Sequence, residues 1–470
     1  MGLEQYRKKA IWLMPGLSVK RWVIIALSGL ICIAFGLAWA LNLQPVTKLI
    51  NLALPILQKM ALLVPSNASG PVVLLLGVAL FYYGMKKTYG TLYSAMNVGS
   101  GSLLEALYRK RKLANGPHVV AIGGGTGLST LLRGLKHYTS NITAVVTVGD
   151  DGGSSGRLRK EQGIIPPGDI RNCIAALADE EKLITELFQY RFSNGQGLEG
   201  HSFGNLFLTA MCRVTGDMVS AIKESSNVLN IRGRVLPSTL DNVALCAEFE
   251  DGSIAQGESD IPTMRDHGRI RRLFSIPENP KPMEDVIKAI AHAELIILGP
   301  GSLYTSVIPN LLIPEISRAI SQSPAPKAYV ANIVTQPGET DGYSAADHVQ
   351  AIFDHARQDN IINAIFLNNW LPDSLIEKYE KAGCAPVIVD AERLSAMGVT
   401  VAQKLLLDEN EFSTLRHNPR RLARAIIAWF KQSRRPASRR RVSLRAVSRA
   451  QTAEDAIVSI PASQEPTLNR

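Results

Sequence analysis

The stretch VVAIGGGTGLSTLLRGL, Val119 to Leu135, joins a short apolar run, three consecutive glycines and a helix-like pattern. Glycines after a strand let the backbone come close to a ligand, and the free N–H groups of the helix that follows attract an anion. The stretch therefore predicts a strand, a phosphate-binding turn and a helix. A tight strand–helix turn without a ligand is the alternative.

The turn matches neither of two common nucleotide-binding motifs. No Gly-Lys-Ser/Thr follows the glycines, which excludes a Walker A loop. Counting from Gly123, the third glycine of the dinucleotide fingerprint is replaced by Leu128. An NAD-dependent dehydrogenase is therefore only the third choice of function.

Further short β-branched runs alternate with helical patterns from Pro117 onward. This alternation predicts a mostly parallel, Rossmann-like α/β sheet with helices on both faces, over residues 117–412. The runs that predict strands are HVVAIGG, ITAVVTVGDD, DNVALCAEF, AELIILGPGS, AYVANIV, NAIFLNN and APVIVD.

Residues 1–112 have the pattern of a membrane anchor with two transmembrane helices. The segment RWVIIALSGLICIAFGLAWALNL, from Arg21, holds about 20 mostly apolar residues, enough to cross a bilayer. Residues 66–84 form a weaker second span. A cleaved signal peptide is the alternative for the first segment, but no small-residue cleavage site follows it. Lys and Arg flank the pair on its outer sides, which places both ends and the main domain in the cytoplasm.

Charge is distributed unevenly along the chain. The net charge is +11 over residues 1–116 and +12 over residues 413–450, whereas residues 117–412 carry −11. An acidic central domain argues against nucleic acid as a partner. Residues 413–470 form a basic, largely disordered tail, with a short amphipathic helix around Leu422 to Trp429. The tail is either solvated or attracted to anionic lipid.

Carboxylates follow the second predicted strand, in TVGDDGGSSGRLRK. Asp150 and Asp151 would lie at the sheet edge where ligands bind, and either could contact a sugar hydroxyl. Asp150 is also the candidate ligand for Mg²⁺, the one cofactor that these residues suggest. An ordinary Asp-Gly turn is the alternative.

Polar residues at two later helix starts are weaker candidates for ligand contact. Asp169 and Asn172 lie in PPGDIRNCIAAL, where helix capping by Asp169 is an equal alternative. His201, Ser202 and Asn205 lie in GHSFGNL, and a lone histidine is more often structural than catalytic.

A second glycine turn follows the predicted strand AELIIL, in the stretch LGPGSLYTSV. Its candidate ligand-binding residues are Gly299, Pro300, Gly301, Ser302, Tyr304 and Thr305. Two turns of this kind in one domain suit a ligand with a diphosphate or two polar ends.

Six blocks, taken in order, resemble the YvcK-type gluconeogenesis factor family, which is related to the 2-phospho-L-lactate transferase CofD. They are AIGGGTGLSTLLRGL, VTVGDDGGSSGRLR, PPGDIRNCIAAL, GHSFGNL, IRGRVLPST and LGPGSLYTSVIPNLL. The resemblance covers about residues 117–400.

The resemblance implies a Rossmann-like core that binds a nucleotide-linked ligand. In the YvcK branch this is a UDP-sugar, tied to cell shape and envelope growth. In the CofD branch it is a deazaflavin substrate with a guanylyl-phospholactate donor. Carried onto this chain, the phosphates would face Gly123, Gly124, Gly125, Thr126 and Gly127. Asp150 and Asp151 would lie at the ligand or metal, and Asn205 and residues 299–305 would complete the pocket.

Two function classes follow from these observations. The first is a regulator of envelope carbon flux that binds a UDP-sugar without turnover. The second is a Mg²⁺-dependent transferase of phosphate-linked groups, since that chemistry needs positioned phosphates, a metal and donors rather than a nucleophile. The oligomeric state stays open, a homo-oligomer included.

Overall fold

The computed structural model describes residues 18–40, 74–87, 110–179, 181–358, 360–408 and 415–434. The chain divides into two compact units, Met1–Ala114 and Asn115–Arg470.

Two helices of the first unit, α1 (Ser18–Ala40) and α2 (residues 74–87), pack through glycines. A Cβ atom on Gly29 would lie 2.6 Å from the backbone nitrogen of Phe81 and 2.7 Å from the carbonyl oxygen of Gly77. No helix in these two ranges, or elsewhere in the described chain, is long and apolar enough to cross a membrane. The two expected spans are thus without support from the described helices.

The second unit is built on a seven-stranded sheet in which every pair of neighbours is parallel. Its spatial order is β10-β9-β8-β7-β1-β2-β3. The strands are β1 (Val119–Gly123), β2 (Ile142–Val146), β3 (Arg234–Pro237), β7 (Leu295–Leu298), β8 (Lys327–Val330), β9 (Ala364–Asn368) and β10 (Thr400–Lys404).

A smaller antiparallel sheet has the order β5-β4-β6. Its strands are β4 (Ala244–Phe249), β5 (Ile254–Gln256) and β6 (Ile270–Ile276). The run DNVALCAEF is therefore a strand, but of this second sheet.

Helices connect the strands on both faces of the large sheet. They are α3 (Gly125–Leu135), α4 (Gly153–Gln162), α5 (Gly168–Leu177), α6 (Glu181–Gln189), α7 (Phe203–Thr215), α8 (Met218–Val228), α9 (Glu284–Ala291), α10 (Ile308–Leu311), α11 (Pro314–Gln322), α12 (Ala345–Ala356), α13 (Asp373–Glu380), α14 (Ala391–Ala396) and α15 (Pro419–Ser433). One π-helix, Leu303–Val307, precedes α10.

Five strand assignments differ from the sequence prediction. Strands β5 and β6 of the small sheet lie outside the predicted runs. The run APVIVD forms only isolated bridges, through Pro386 and Ile388, and Pro386 has no N–H to donate to a ladder. The two edge strands were also missed. Strand β3 is only four residues long, although Val235 to Pro237 are buried, and β10 is partly exposed and lacks an apolar run.

Side chains of the central strand β1 alternate between two cores. Val120 and Ile122 face the core that includes the small sheet, α9, α11 and α12. Val119 and Ala121 face the core that includes α3, α5, α7 and α15. Because successive strand residues point to opposite faces, a strand buried on both faces is apolar throughout. The Rossmann-like α/β prediction is confirmed.

Helix α15 lies inside the range that the sequence assigned to the basic tail. Its side chains Leu422, Ile426 and Phe430 are buried in the core with α3, and the ring of Trp429 lies edge-on to Phe366 at 5.8 Å. The predicted boundary between domain and tail, at residue 412, therefore separates α15 from the domain into which it packs. Residues 435–470 of the predicted tail lie outside the described residues.

We expect Ile426→Ala to lower the free energy of unfolding by about 2–5 kcal/mol, because it leaves a cavity between α15 and α3. Deleting residues 435–470 should leave the melting temperature unchanged. The matched control for Ile426→Ala is Arg424→Ala, on the exposed face of α15. Chemical denaturation of the variants measures the change. An Ile426 variant as stable as the Arg424 variant would contradict the packing of α15.

Candidate functional site

The candidate site lies where the sheet order reverses. From β1 the chain runs through β2 to β3 on one side, whereas β7 to β10 lie on the other side. In open α/β sheets, the loops that leave the carboxyl ends of two strands at such a point enclose a crevice for ligands. Here these loops are the two predicted glycine turns, after β1 and after β7.

The two glycine turns are in backbone contact. A Cβ atom on Gly127 would lie 2.5 Å from the carbonyl oxygen of Pro300 and 2.9 Å from the Cα atom of Gly301. No other residue fits at position 127 without moving the second turn. Gly125 has a φ of +61°, which a residue with a side chain rarely adopts. Glycine is thus required here by packing and by conformation.

A pocket of about 370 Å³ opens between these turns. Its size is in the range of small-ligand sites. The predicted residues that line it are Gly124, Gly125, Thr126, Gly127, Pro300, Gly301, Ser302 and Thr305. The further lining residues are Thr130, Glu258, Ser306, Asn332, Ile333, Val334, Gln336, Leu415, Arg416 and His417.

The first turn of α3 supplies backbone donors to this pocket. The first hydrogen bond within the helix runs from the Leu128 N–H to the Gly124 carbonyl, so three earlier N–H groups have no partner in the helix. The N–H of Gly125 donates to the carboxylate of Asp169. The N–H groups of Thr126 and Gly127 are the ones that remain for a ligand.

The helix start after β7 is capped by a side chain of the protein. The N–H groups of Tyr304 and Thr305 donate to the buried carboxylate of Glu339. Burial raises the pKa of Glu339 to about 7. Since Glu339 takes these donors, the second turn presents its loop atoms and the Ser302 hydroxyl rather than a helix N-terminus. The phenol of Tyr304 points into the core, where it is 2.8 Å from the Tyr343 hydroxyl.

Gly123 and Gly299 lie beneath the pocket. The N–H of Gly299 donates to the carbonyl of Ile122, and a Cβ atom on Gly123 would lie 3.7 Å from the Cα atom of Gly299. These two glycines bring the strand ends together, and the residues that follow them form the pocket wall.

Carboxyl groups crowd the β2 side of the pocket. Burial, and next the charge of Asp150, raise the pKa of Asp169 to about 7. Burial, and next the charges of Asp169 and Asp150, raise the pKa of Glu258 well above its usual range. The Oε2 atom of Glu258 is buried and has no hydrogen-bond partner. This side of the pocket favours bound protons or a cation.

The carboxyl groups do not form a preassembled metal site. Within the described residues, no group of three or more His, Cys, Asp or Glu side chains has the arrangement that holds a metal ion. Asp150 accepts a hydrogen bond from the Gly152 N–H at 3.0 Å through Oδ1. Carboxylate oxygens are ligands that suit Mg²⁺, which commonly takes one or two of them and completes its shell with water and phosphate.

Asp151, in contrast, makes its hydrogen bonds outside the pocket. Its Oδ1 atom accepts from the N–H of Ser259 at 3.0 Å and from the Ser259 hydroxyl at 2.9 Å. The carboxylate therefore holds the loop after β5 in place.

The residues predicted at the later helix starts form a separate buried network. The Ser154 hydroxyl lies 2.9 Å from Nδ1 of His201, and Nδ2 of Asn205 donates to the same hydroxyl at 3.1 Å. Burial, and next the charge of Arg157, lower the pKa of His201, which favours the neutral imidazole. This network fixes the start of α4 and does not line the pocket.

Ser202 and Asn172 belong to the same network. Ser202 caps α7 by accepting from the Asn205 N–H, and Arg171 donates to both the Ser202 hydroxyl and the Asn172 side-chain oxygen. The contacts of His201, Ser202 and Asn172 are therefore explained by a structural role, without a ligand.

Three parts of the pocket were missed from the sequence. Glu258 lies in the loop after β5, Gln336 follows β8, and residues 415–417 lie about 290 positions after the first glycine turn. The Pro-Gly pair in TQPGET, directly after a predicted strand, could have identified the second of these loops. Arg416 is exposed at the pocket, whereas His417 is buried.

Comparison with known proteins agrees with this architecture. Residues 119–407 match the profile of the family described as 2-phospho-L-lactate transferase CofD. A putative gluconeogenesis factor of Nostoc sp. is 50% identical over 422 residues, 89% of this chain and 92% of its own. The gluconeogenesis factor of Bacillus subtilis is 49% identical over 317 residues, 67% of this chain and 99% of its own.

A solved structure has the same fold. The crystal structure of a UPF0052 family protein of Bacillus halodurans has a TM-score of 0.63 and 50% sequence identity, over 66% of this chain and 99% of its own. With close relatives over most of its length and the family profile over its sheet, the chain belongs to the CofD family and, within it, to the gluconeogenesis factors.

Proposed function

We propose that the pocket binds a UDP-sugar and that the protein regulates carbon flux into the envelope, and thereby cell shape, without turnover. The observation that carries this proposal is the contact between the two glycine turns at the point where the sheet order reverses. The relatives' name, gluconeogenesis factor, supports a role in carbon metabolism.

The charges around the pocket favour one orientation of such a ligand. The free N–H groups of Thr126 and Gly127 lie at the centre, where a diphosphate would sit. Arg416 is the exposed cation among the lining residues. Ile333, Val334 and Leu415 pack together beside it and offer an apolar surface for a base. The ligand would therefore lie along the sheet edge, with its phosphates over the first glycine turn.

We predict that Gly125→Ala lowers affinity for UDP-sugars at least tenfold. The new Cβ atom would have no protein atom closer than 3.7 Å, so it would project into the space of the diphosphate. Gly163→Ala is the matched control, because Gly163 has a φ of +65° and does not line the pocket. Both variants carry similar backbone strain, and calorimetry with UDP-sugars compares them. Equal affinities would exclude the glycine turn from the binding site.

A Mg²⁺-dependent transferase related to phospholactate transferase is the second candidate. The carboxyl groups beside the phosphate turn favour it, as does the match to the CofD family. Asp150 would hold the metal, which would neutralise charge on the phosphate oxygens. Binding of GDP or a deazaflavin with Mg²⁺, and of no uridine nucleotide, would favour this candidate over the first.

We predict that stability falls as the pH rises from about 4 to about 7. The pKa of Asp169 is raised on folding, so the folded protein holds this proton more tightly than the unfolded chain. The stabilisation is complete below the unfolded pKa and is lost as the pH passes through about 7. Asp169→Asn should reduce this dependence, to which Glu339 and Glu258 also contribute, and Asp266→Asn, at an exposed carboxylate, should not.

Chemical denaturation between pH 4 and pH 8 measures the dependence, with and without millimolar Mg²⁺. A cation bound at these carboxyls should stabilise the native protein at pH 8 and not at pH 5, where protons compete with it. Identical pH slopes of the unfolding free energy for the wild type and the Asp169 variant would show that Asp169 does not cause the pH dependence.

We also propose that the N-terminal helices anchor the protein to the cell membrane, with two spans and the main domain in the cytoplasm. The apolar runs and their flanking Lys and Arg residues support this proposal. Large apolar side chains are also exposed on both helices, among them Ile24, Leu27 and Leu75. Close glycine contacts like those of Gly29 and Gly77 are common between helices in lipid.

We predict that reporter fusions after Leu43 and after Lys112 give opposite orientations. Leu43 would lie between the spans and Lys112 on the cytoplasmic side, where positive charge is retained. Alkaline phosphatase activity, which requires export, should appear at the first position alone. Export of both fusions, or of neither, would exclude the two-span topology.

A further inference from the structure

The loop after β5 brings one carboxyl group, that of Glu258, into the wall of the pocket. A Cβ atom on Gly149, just after β2, would lie 3.3 Å from Oε2 of Glu258. This contact places the carboxyl on the β2 side of the crevice. The Oε2 atom is buried and has no hydrogen-bond partner within the protein. A buried polar atom without a partner is costly, and a ligand atom would satisfy it.

The two ends of the pocket differ in chemistry. At the β8 end lie the apolar side chains Ile333, Val334 and Leu415, with Arg416. At the β2 end lies Glu258. A carboxyl group offers a phosphate no positive charge to pair with, whereas it forms hydrogen bonds with hydroxyl groups. The β2 end therefore suits a part of the ligand that is rich in hydroxyls and carries no negative charge.

We propose that Glu258 recognises the sugar of the bound nucleotide sugar, and that Asp151 positions Glu258 for this contact. The proposal rests on the proposed function, because it assigns one end of the same pocket to the sugar.

Asp151 is suited to position this loop because it contacts the residues on both sides of Glu258. It accepts the two hydrogen bonds from Ser259, and its Oδ2 atom occupies the space into which a Cβ atom on Gly257 would project. Gly257 has a φ of +124°, and its N–H donates to the Leu245 carbonyl at 2.8 Å. The peptide that carries Glu258 is thus held from both ends.

The test compares UDP with a panel of UDP-glucose, UDP-galactose and UDP-N-acetylglucosamine, by calorimetry on the full-length chain. Glu258→Ala should lower affinity for the preferred UDP-sugar about tenfold, as loss of a hydrogen bond predicts, and change affinity for UDP less than about twofold. Asp151→Ala should likewise lower affinity for the UDP-sugar much more than affinity for UDP.

Asp151→Asn should recover most of the lost UDP-sugar affinity, because an amide oxygen still accepts from Ser259. Asp266→Asn removes an exposed carboxylate next to the small sheet and is the matched control for charge. An intact melting transition in each variant separates a loss of contact from a loss of fold.

The outcomes distinguish this proposal from the proposed function. If the wild type binds UDP and a UDP-sugar but Glu258→Ala affects both equally, or neither, the assignment of Glu258 is wrong and the nucleotide site stands. If Asp151→Asn behaves like Asp151→Ala, the positioning role of Asp151 is wrong. If the wild type binds no uridine nucleotide, the proposed function fails, and this assignment with it.

Discussion

The approach of two backbone turns, at Gly127 and at Pro300–Gly301, is the constraint on which the site depends. The parallel pairing of β1 with β7 brings the two strand ends together, and glycine lets the loops that follow them touch. A side chain at Gly127 would push the second turn away and widen the crevice. The shape of the pocket therefore depends on the strand order and on glycines in the two turns, which have no Cβ atom to keep the loops apart.

The pocket places hydrogen-bond donors and acidic groups side by side. The start of α3, with its unpaired N–H groups, lies beside a group of buried carboxyls, and Glu339 already caps the helix start after β7. A uniformly basic pocket would bind any phosphate compound. A pocket with backbone donors at its centre and carboxyl groups at one end suits a ligand whose charge is confined to its middle. This arrangement favours a molecule with a neutral group attached to its phosphates.

The local sequence pattern was sufficient to predict the central strands, the first glycine turn and the family. Each of these depends on residues that are neighbours along the chain, such as the apolar run before Gly123. The orientation of Tyr304 could not be predicted, because it depends on the π-helix and on Tyr343. Nor could Glu258 or Arg416 be assigned, since nothing near them in sequence indicates which pocket they line. Edge strand β10 was missed because partial exposure removes the apolar pattern, and β3 was missed because it is only four residues long.

Helix α15 links the pocket to the end of the described chain. It begins two residues after His417, which lines the pocket, and it packs on α3, which begins at the first glycine turn. At Gly134 the two helices touch, since a Cβ atom there would lie 2.7 Å from that of Ala423. Helix α15 thus connects both sides of the crevice to Ser433. A change in the packing of α15 on α3 would therefore reach both sides of the crevice at once.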